Sequence, residues 1–167
     1  MIRAAVQGIC LCPKNPHTGD PAAAATGAGA LTEQAGQMEF KTRKVVTPKD
    51  LNPHGTLFGG RALEWIDEEA FIFASCQLGS TSLVTKLMST VNFVSSARLG
   101  DIVEIGCEAL KFGTTSISVK CQVRRMDTGD LITAVGEIVF VNVGDDGRPV
   151  AHGVTPETAG RGGAGGG

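Results

Sequence analysis

The chain has 167 residues, enough for one domain around a single hydrophobic core, since domains cluster at about 100 to 150 residues. Lys and Arg number 15 against 17 for Asp and Glu, so charge gives no reason to expect nucleic acid or an anionic membrane surface as a partner. No apolar run approaches the ~18 residues of a transmembrane helix, and we expect no membrane span.

Residues 1–37 are rich in Ala, Gly and Pro and hold too few large apolar side chains to offset chain entropy. We predict a flexible N-terminal tail there. The opening "MIRAAVQGICLC" places Arg3 ahead of an apolar stretch, as a targeting segment would. Organellar transit peptides are usually rich in Arg and Ser, however, and this tail has one Arg and no Ser.

The cysteines are odd in number and form no Cys-x-x-Cys pair, which argues against a disulfide framework and against a structural zinc site. They are Cys10, Cys12, Cys76, Cys107 and Cys121. A reducing compartment fits this pattern best. We therefore expect a cytoplasmic protein, with an organellar matrix as the alternative if the tail is a transit peptide.

Strand patterns dominate the rest of the chain. A first strand is predicted in "MEFKTRKVV", and after a helix four more follow in "LVTKLMSTVNF", "DIVEIGCEAL", "SISVKCQVRR" and "LITAVGEIVFVNV". The connections "KFGTT" and "MDTGD" carry the Gly and Asp of tight reversals, so the last three strands should form a meander. One helix on one antiparallel sheet is an α+β layout.

The helix in "LNPHGTLFGGRALEWIDEEA" carries an acid on its apolar side. Leu63, Ile66, Ala70 and Ala74 form an apolar stripe, and Asp67 falls about 40° from Leu63 on the helical wheel, at 100° per residue. A carboxylate buried in such a stripe must be hydrogen-bonded, paired or protonated. Satisfaction by neighbouring backbone or Lys and a functional role are about equally plausible for this acid.

A second apolar ridge on the same helix, Trp65 and Ile72, suggests that its far side is covered, for example by a second subunit. At the start of the helix, Gly59 and Gly60 leave room for a ligand beside unpaired N–H groups that carry partial positive charge. Tight packing is the alternative explanation for these glycines. Together with Asp67, they predict a carbonyl held at the helix mouth and a carboxylate that attacks it or activates water.

These residues resemble the signature of the hot-dog-fold acyl-CoA thioesterases, in the branch of short acyl-CoA hydrolases related to cytosolic long-chain enzymes. The shared pattern runs from an Asn, through a Gly and a Gly-Gly, to a helix Asp in "NPHGTLFGGRALEWIDEEA". The later segments "VNFVSSARLGDIVEI", "ALKFGTTSISVKCQV" and "AVGEIVFVNVGDDGRP" match in order. The resemblance implies a hot-dog fold, one long helix wrapped by an antiparallel sheet of five or more strands, over residues 38–149.

By this resemblance, Asp67 is the catalytic carboxylate, acting as general base or nucleophile, and the N–H of Gly59 polarises the thioester carbonyl. Asn52 matches a polar residue that reaches the partner subunit's active site, although an Asn before Pro53 also reads as a turn former. The active site would then lie across a dimer interface. A homodimer is the expected minimal unit, and a homohexamer the expected assembly.

Substrate-binding roles are less specific. His54 varies among relatives, Thr56 stands where they carry Asp or Asn, and Thr114 stands where some carry an Arg. The phosphates of CoA would then need another cation. The candidate substrate-binding residues are Gly60, His54, Thr56, Arg98, Lys111 and Thr114, with Arg125 as a further cation.

The expected reaction is hydrolysis of acyl-CoA to a free acid and CoA, within lipid and fatty acid metabolism, with no metal and no cofactor beyond the CoA of the substrate. Two alternatives stay open, namely a non-catalytic acyl-CoA binder or sensor and an acyl-thioester dehydratase, which would pair a His with the Asp. Residues 150–167 end in "AGRGGAGGG" and are predicted to form a flexible C-terminal tail.

Overall fold

A computed structural model of the chain describes residues 38–159. The N-terminal tail predicted over residues 1–37, with Cys10 and Cys12, and the last residues of the C-terminal tail lie outside this range. The described elements are β1 (Glu39–Val45), a short 3-10 turn (Pro48–Asp50), α1 (Gly59–Leu78), β2 (Leu83–Phe93), β3 (Ile102–Phe112), β4 (Ser116–Arg125) and β5 (Leu131–Asn142).

The five strands form one antiparallel sheet in the order β1-β3-β4-β5-β2, and α1 packs against one face of it. The predicted order of strand, helix and four strands is confirmed, as is the meander of β3, β4 and β5. The helix ends at Leu78, and the left-handed φ of 63° at Gly79 turns the chain so that the N–H of Ser80, like that of Gly79, donates to the carbonyl of Ser75. β1 and β2 are the two edges of the sheet.

The core lies between the helix and the concave face of the sheet. The alternation predicted for β4 is observed, because Ile117, Val119, Cys121 and Val123 are all fully buried. From the helix, the stripe of Ile66, Ala70 and Ala74 is equally buried, with Leu63 packed beside it. Burial of this apolar surface is the main stabilising contribution to the fold.

The second apolar ridge of the helix is partly covered within the single chain. Trp65 is buried at 4% exposure, whereas Ile72 is 54% exposed. The Trp65 ring centroid lies 5.8 Å from Lys44 Nζ and 5.9 Å from Arg61 Cζ, so two cations flank the ring. Cover of this ridge by a second subunit stays a prediction, which now concerns Ile72.

The two hairpin glycines serve different purposes. Gly129, in "MDTGD", has a left-handed φ of 76°, as the reversal requires. Gly113, in "KFGTT", is needed for space instead, because a Cβ there would lie 2.7 Å from Ser116 Oγ.

Part of the segment assigned to the C-terminal tail contacts the sheet. The N–H of Val150 donates to the Asn142 carbonyl, and the N–H of His152 donates to the Thr114 carbonyl. Val154 packs against the core. Backbone partners at the end of the sheet thus hold a segment whose composition is poor in apolar side chains. Within residues 38–159, no helix is long and apolar enough to cross a bilayer.

Candidate active site

Among residues 38–159, the most deeply buried acid is Asp50, in the turn before the helix. Asp50 is 1% exposed, and its Oδ2 accepts hydrogen bonds from the N–H of Thr47, at 2.9 Å, and from the Thr47 hydroxyl. Its Oδ1 accepts from Arg61 Nε at 2.8 Å. The Asp50 carbonyl also accepts from the N–H of Phe58 at 2.8 Å, which fixes the residue immediately before the helix.

Burial alone would raise the pKa of Asp50. The hydrogen bonds from Thr47 and the neighbouring guanidinium of Arg61 outweigh it and hold the pKa of this carboxyl below its ordinary value. The ionised Asp50 carboxylate is therefore a fixed part of the structure at the start of the helix. Arg61 also bonds Glu64 on the next turn, at 2.5 Å.

Asn52 shapes the loop that leads to the helix. Its Oδ1 accepts from the N–H of His54 at 2.9 Å and from that of Thr56 at 3.2 Å, while its Nδ2 donates to Thr56 Oγ1 at 2.9 Å. This is the turn-forming arrangement that an Asn before Pro53 suggests. His54 is exposed on this loop and contributes its backbone N–H to it.

The helix mouth presents two N–H groups. Arg61 N and Ala62 N donate to the Phe58 carbonyl, so the N–H groups of Gly59 and Gly60 lie ahead of the helical hydrogen-bond ladder. Phe58, the residue before the helix, makes no side-chain cap. These donors carry the partial positive charge of the helix N-terminus.

Aromatic rings lie beside both mouth glycines. A Cβ at Gly59 would lie 3.0 Å from Phe93 Cε1, and one at Gly60 would lie 3.1 Å from Phe58 Cε1. Both rings are more than half exposed, so each can move by the few tenths of an ångström that such a Cβ would need. Tight packing therefore does not by itself require glycine at these positions.

Asp67 is half-buried, so the burial predicted from the helical wheel is incomplete. It faces β2, which is the edge strand of the sheet, and its Oδ1 accepts a hydrogen bond from Thr85 Oγ1 at 3.0 Å. Sequence analysis missed Thr85. The sequence pointed to Thr85 only as one of several polar residues in the strand that follows the helix.

The structure does not bring Gly59 and Asp67 together within one chain. They are eight positions apart on α1, and at 1.5 Å of rise per residue they lie about 12 Å apart along the helix axis. A carbonyl that accepts from the Gly59 N–H is therefore out of reach of the same chain's Asp67. Asn52 and Thr56 lie at the Gly59 end of the helix, so the candidate residues form two separate groups within one chain.

The candidate substrate-binding residues also divide between the ends of the sheet. Arg98 pairs with Thr56 in an isolated bridge beside the helix mouth. Lys111 and Thr114 lie in or next to the β3–β4 turn, near the C-terminal end of the helix. Arg125 is engaged at the mouth end, where it donates to the Ser96 carbonyl at 2.8 Å and pairs with Asp101 at 3.5 Å.

A cavity of about 260 Å³ opens beside the helix mouth. Its walls are mostly apolar, and they come from the loop before the helix, the first turn of the helix, the end of β2 with the loop that follows it, and the start of β5. The lining residues include Leu57, Gly59, Ala62, Phe93, Ala97 and Thr133.

Comparisons with known proteins agree with this geometry. The family model described as "Thioesterase superfamily" matches residues 54–139. A Bacillus subtilis protein described as an uncharacterized acyl-CoA thioester hydrolase, YkhA, is 34% identical over 122 residues, which cover 71% of this chain and 70% of that protein. The acyl-CoA thioester hydrolase YciA of Salmonella typhimurium is 29% identical over 119 residues, 68% of this chain and 89% of that protein.

Solved structures give the same match. An acyl-CoA hydrolase from Staphylococcus aureus, in complex with butyryl coenzyme A, coenzyme A and coenzyme A disulfide, is 34% identical with a TM-score of 0.60 and covers 66% of each chain. A hexameric broad-specificity acyl-coenzyme A thioesterase is 25% identical with a TM-score of 0.64, over 72% of this chain and 89% of that one.

Proposed function

The chain belongs to the thioesterase superfamily and has its hot-dog fold, and from this premise we propose that it hydrolyses the thioester of acyl-CoA to a free carboxylic acid and CoA. The observation that carries the proposal is the pair of half-sites on α1. One is a helix mouth with two unpaired N–H groups, and the other is Asp67 held by Thr85 beside the open sheet edge.

The active site is proposed to form between two protomers. Because Gly59 and Asp67 lie about 12 Å apart in one chain, the Asp67 that acts on a given carbonyl must come from a partner. A two-fold axis brings each helix mouth to the other protomer's Asp67 and makes two equivalent sites. A homodimer is then the minimal active unit, and the hexamers among the structural neighbours support a homohexamer built from such dimers.

In the proposed reaction the thioester carbonyl accepts a hydrogen bond from the Gly59 N–H, which stabilises the negative charge that develops on its oxygen. Asp67 attacks the carbonyl carbon directly or takes a proton from the water that does. The C–S bond then breaks, and CoA leaves as a thiol after protonation. If Asp67 itself attacks, the acyl group remains on Asp67 as an anhydride, which water then hydrolyses to release the free acid and restore the carboxylate. These steps use water, a carboxylate and backbone N–H groups, so we propose that no cofactor takes part.

Substituted relatives support these assignments. In the Staphylococcus aureus enzyme, an Asp, an Asn and a Thr have each been replaced by Ala for structural and biochemical characterisation. The Asn and the Asp of that enzyme are separated by the same number of residues as Asn52 and Asp67. Counted from the Asp in each sequence, its Thr lies within one position of Thr85. We therefore propose that Asp67 is the reacting carboxylate, that Thr85 orients it, and that Asn52 acts from the mouth side.

The CoA portion is proposed to leave the mouth toward exposed polar and basic residues. Gly60, His54, Thr56 and Arg98 lie beside the mouth, and Arg98 is the cation best placed for a phosphate there. Lys111 and Thr114 lie at the far end of the sheet. They can reach the same CoA only from another protomer of the assembly.

The proposed reaction belongs to lipid and fatty acid metabolism, because it releases a free acid and CoA from an activated acyl group. A cytoplasmic location is proposed from the odd number of cysteines and the lack of a Cys-x-x-Cys pair in the sequence. Dehydratase chemistry is less well supported than hydrolysis, because His54 is exposed on its loop and His152 bonds the Ser116 carbonyl at 3.2 Å.

The test is release of free CoA thiol from a panel of short, long and aromatic acyl-CoAs. Wild type is compared with Asp67→Asn, which should lose most turnover while it folds normally. Glu68→Gln is the matched control, because Glu68 is the exposed neighbour on the same helix and pairs with Lys44 at 3.2 Å on the protein surface. Stoichiometric binding without turnover by wild type would instead indicate an acyl-CoA binder.

A further inference from the structure

The cavity beside the helix mouth contains a buried hydroxyl without a partner. Thr133, on β5, is 1% exposed, and its Oγ1 makes no hydrogen bond to any part of residues 38–159. Its polar neighbour Ser95 uses its own hydroxyl on the Leu131 carbonyl, at 2.7 Å. Most buried polar side chains in native proteins are hydrogen-bonded, so this hydroxyl calls for an explanation.

The position of Thr133 points to a ligand deeper than the reacting carbonyl. Thr133 is paired with Val123 on β4 and with Phe93 on β2, so all three side chains project toward the helix-covered face. The Phe93 ring then reaches Gly59, where a Cβ would lie 3.0 Å from it. The ring thus stands between the hydroxyl and the mouth, and Thr133 forms the floor of the cavity.

Access to that floor depends on Phe93. The ring is attached to the last residue of the edge strand and is 58% exposed, so it is only partly packed against the core. Rotation of this ring would uncover the floor hydroxyl for a group that enters from the helix mouth. A ligand whose carbonyl is held at Gly59 would enter in that direction.

The chemistry of the walls defines the ligand. Leu57, Ala62, Ala97 and Ile132 are apolar, and none of the side chains that line the cavity is charged, so phosphate groups do not fit. A volume of about 260 Å³ holds about eight non-hydrogen atoms if each takes ~30 Å³. These features match a short acyl chain that carries one oxygen.

Building on the proposed acyl-CoA hydrolysis, we propose that this cavity receives the acyl group and that Thr133 selects acyl groups with a hydroxyl or keto oxygen beyond the thioester carbonyl. The Thr133 hydroxyl donates to that oxygen and, for a hydroxyl, can also accept from it. Acyl groups without the oxygen leave Thr133 unpaired and bind less well.

The experiment measures kcat/KM for butanoyl-, 3-hydroxybutanoyl- and 3-oxobutanoyl-CoA by release of CoA thiol. Wild type should prefer an oxygenated ester over butanoyl-CoA by about tenfold, the effect of one hydrogen bond. In Thr133→Val this ratio should fall to about one, whereas Thr133→Ser, which keeps the hydroxyl, should retain it. Thr128→Val, in the exposed β4–β5 turn, is the control that should leave the ratio unchanged.

A second readout separates selection from a structural role. If the hydroxyl lacks a partner in the free protein, Thr133→Val should melt no lower than wild type, because it removes an unsatisfied group. A lower melting temperature would show that the hydroxyl is already bonded and would overturn the proposal.

Three other results would also overturn it. The first is a wild type without preference for oxygenated esters. The second is a Thr133→Val variant that loses activity equally on all three, which would place the hydroxyl on the thioester carbonyl. If wild type hydrolysed none of the esters, the proposed function itself would fail. The role of Thr133 would then be tested by calorimetric dissociation constants of wild type for the same three esters. Equal dissociation constants for all three would be the third contrary result.

Discussion

Replacing Asp50 by Asn should destabilise the protein by about 2 to 4 kcal/mol, the range for a buried charge that loses its charge-assisted bonds. The carboxylate accepts on both oxygens, from Thr47 N at 2.9 Å on one side and from Arg61 Nε at 2.8 Å on the other. An Asn can accept on one oxygen only. Its NH₂ group would face a donor on the other side, and at 1% exposure water cannot relieve the conflict.

Urea unfolding followed by circular dichroism measures this loss. The midpoint should fall with an unchanged slope, because the unfolded chain exposes the same surface. Asp146→Asn is the matched control, because Asp146 is 62% exposed, its ion pair with Arg148 is 3.6 Å long, and an Asn oxygen can still accept the 3.0 Å hydrogen bond from the Arg148 N–H. A loss for Asp50→Asn below about 0.5 kcal/mol, the usual range for surface substitutions, would refute the energetic role assigned to this carboxylate.

The same carboxylate makes stability depend on pH. Burial raises the pKa of Asp50, but the hydrogen bonds from Thr47 and the guanidinium of Arg61 outweigh it, so the folded pKa is below that of an unfolded Asp. The unfolded chain then binds more protons over that interval, and stability is lost as pH falls from about 4 through the folded pKa. The unfolding midpoint of Asp50→Asn should be less sensitive to acid in this window. Parallel acid profiles for the two proteins would contradict the assignment.

Three shorter predictions concern the helix mouth, the Asp67 half-site and the core thiols. Gly59→Ala should keep the melting temperature of wild type, because the exposed Phe93 ring beside it can move. Its turnover should fall by up to about 10², because the added methyl group screens the donor N–H. Full activity would show that the helix mouth takes no part in the reaction. Thr85→Val should lower kcat about tenfold by freeing Asp67, with Thr85→Ser restoring it, and a change in KM alone would oppose this role. The contact with Cys107 Sγ at 2.7 Å and burial raise the pKa of the Cys121 thiol. Neither of these two buried thiols should therefore react with a disulfide reagent until the protein unfolds. Rapid labelling of either thiol in the native protein would contradict this prediction.

Hydrophobic periodicity was sufficient to predict the sheet. The strict alternation in β4 places Ile117, Val119, Cys121 and Val123 on one face, and a helix that covers that face buries them all. Turn chemistry was sufficient at Gly129, where the backbone adopts a left-handed φ. At Gly113 the requirement is space beside Ser116, a contact that no local pattern reveals.

The site was less predictable, because its burial depends on the edges of the sheet. Helical spacing correctly placed Asp67 beside the apolar stripe, but spacing cannot show that this side faces edge strand β2 and stays half-open. Asp50 was missed because it lies in a short turn without periodicity, and its burial comes from Thr47 and Arg61. Trp65 is buried within its own chain, with Lys44 and Arg61 beside its ring, and helical spacing alone cannot separate this from cover by a second subunit.

The central claim, that each active site joins one protomer's helix mouth to its partner's Asp67, can be tested by mixing two inactive variants. Asp67→Asn and Gly59→Val are purified alone and after co-expression in equal amounts. If the site is shared, each heterodimer holds one site with both residues intact, and the mixture should recover about one quarter of wild-type CoA release. If both residues acted within one chain, the mixture would stay as inactive as the two variants alone, and that result would contradict the account.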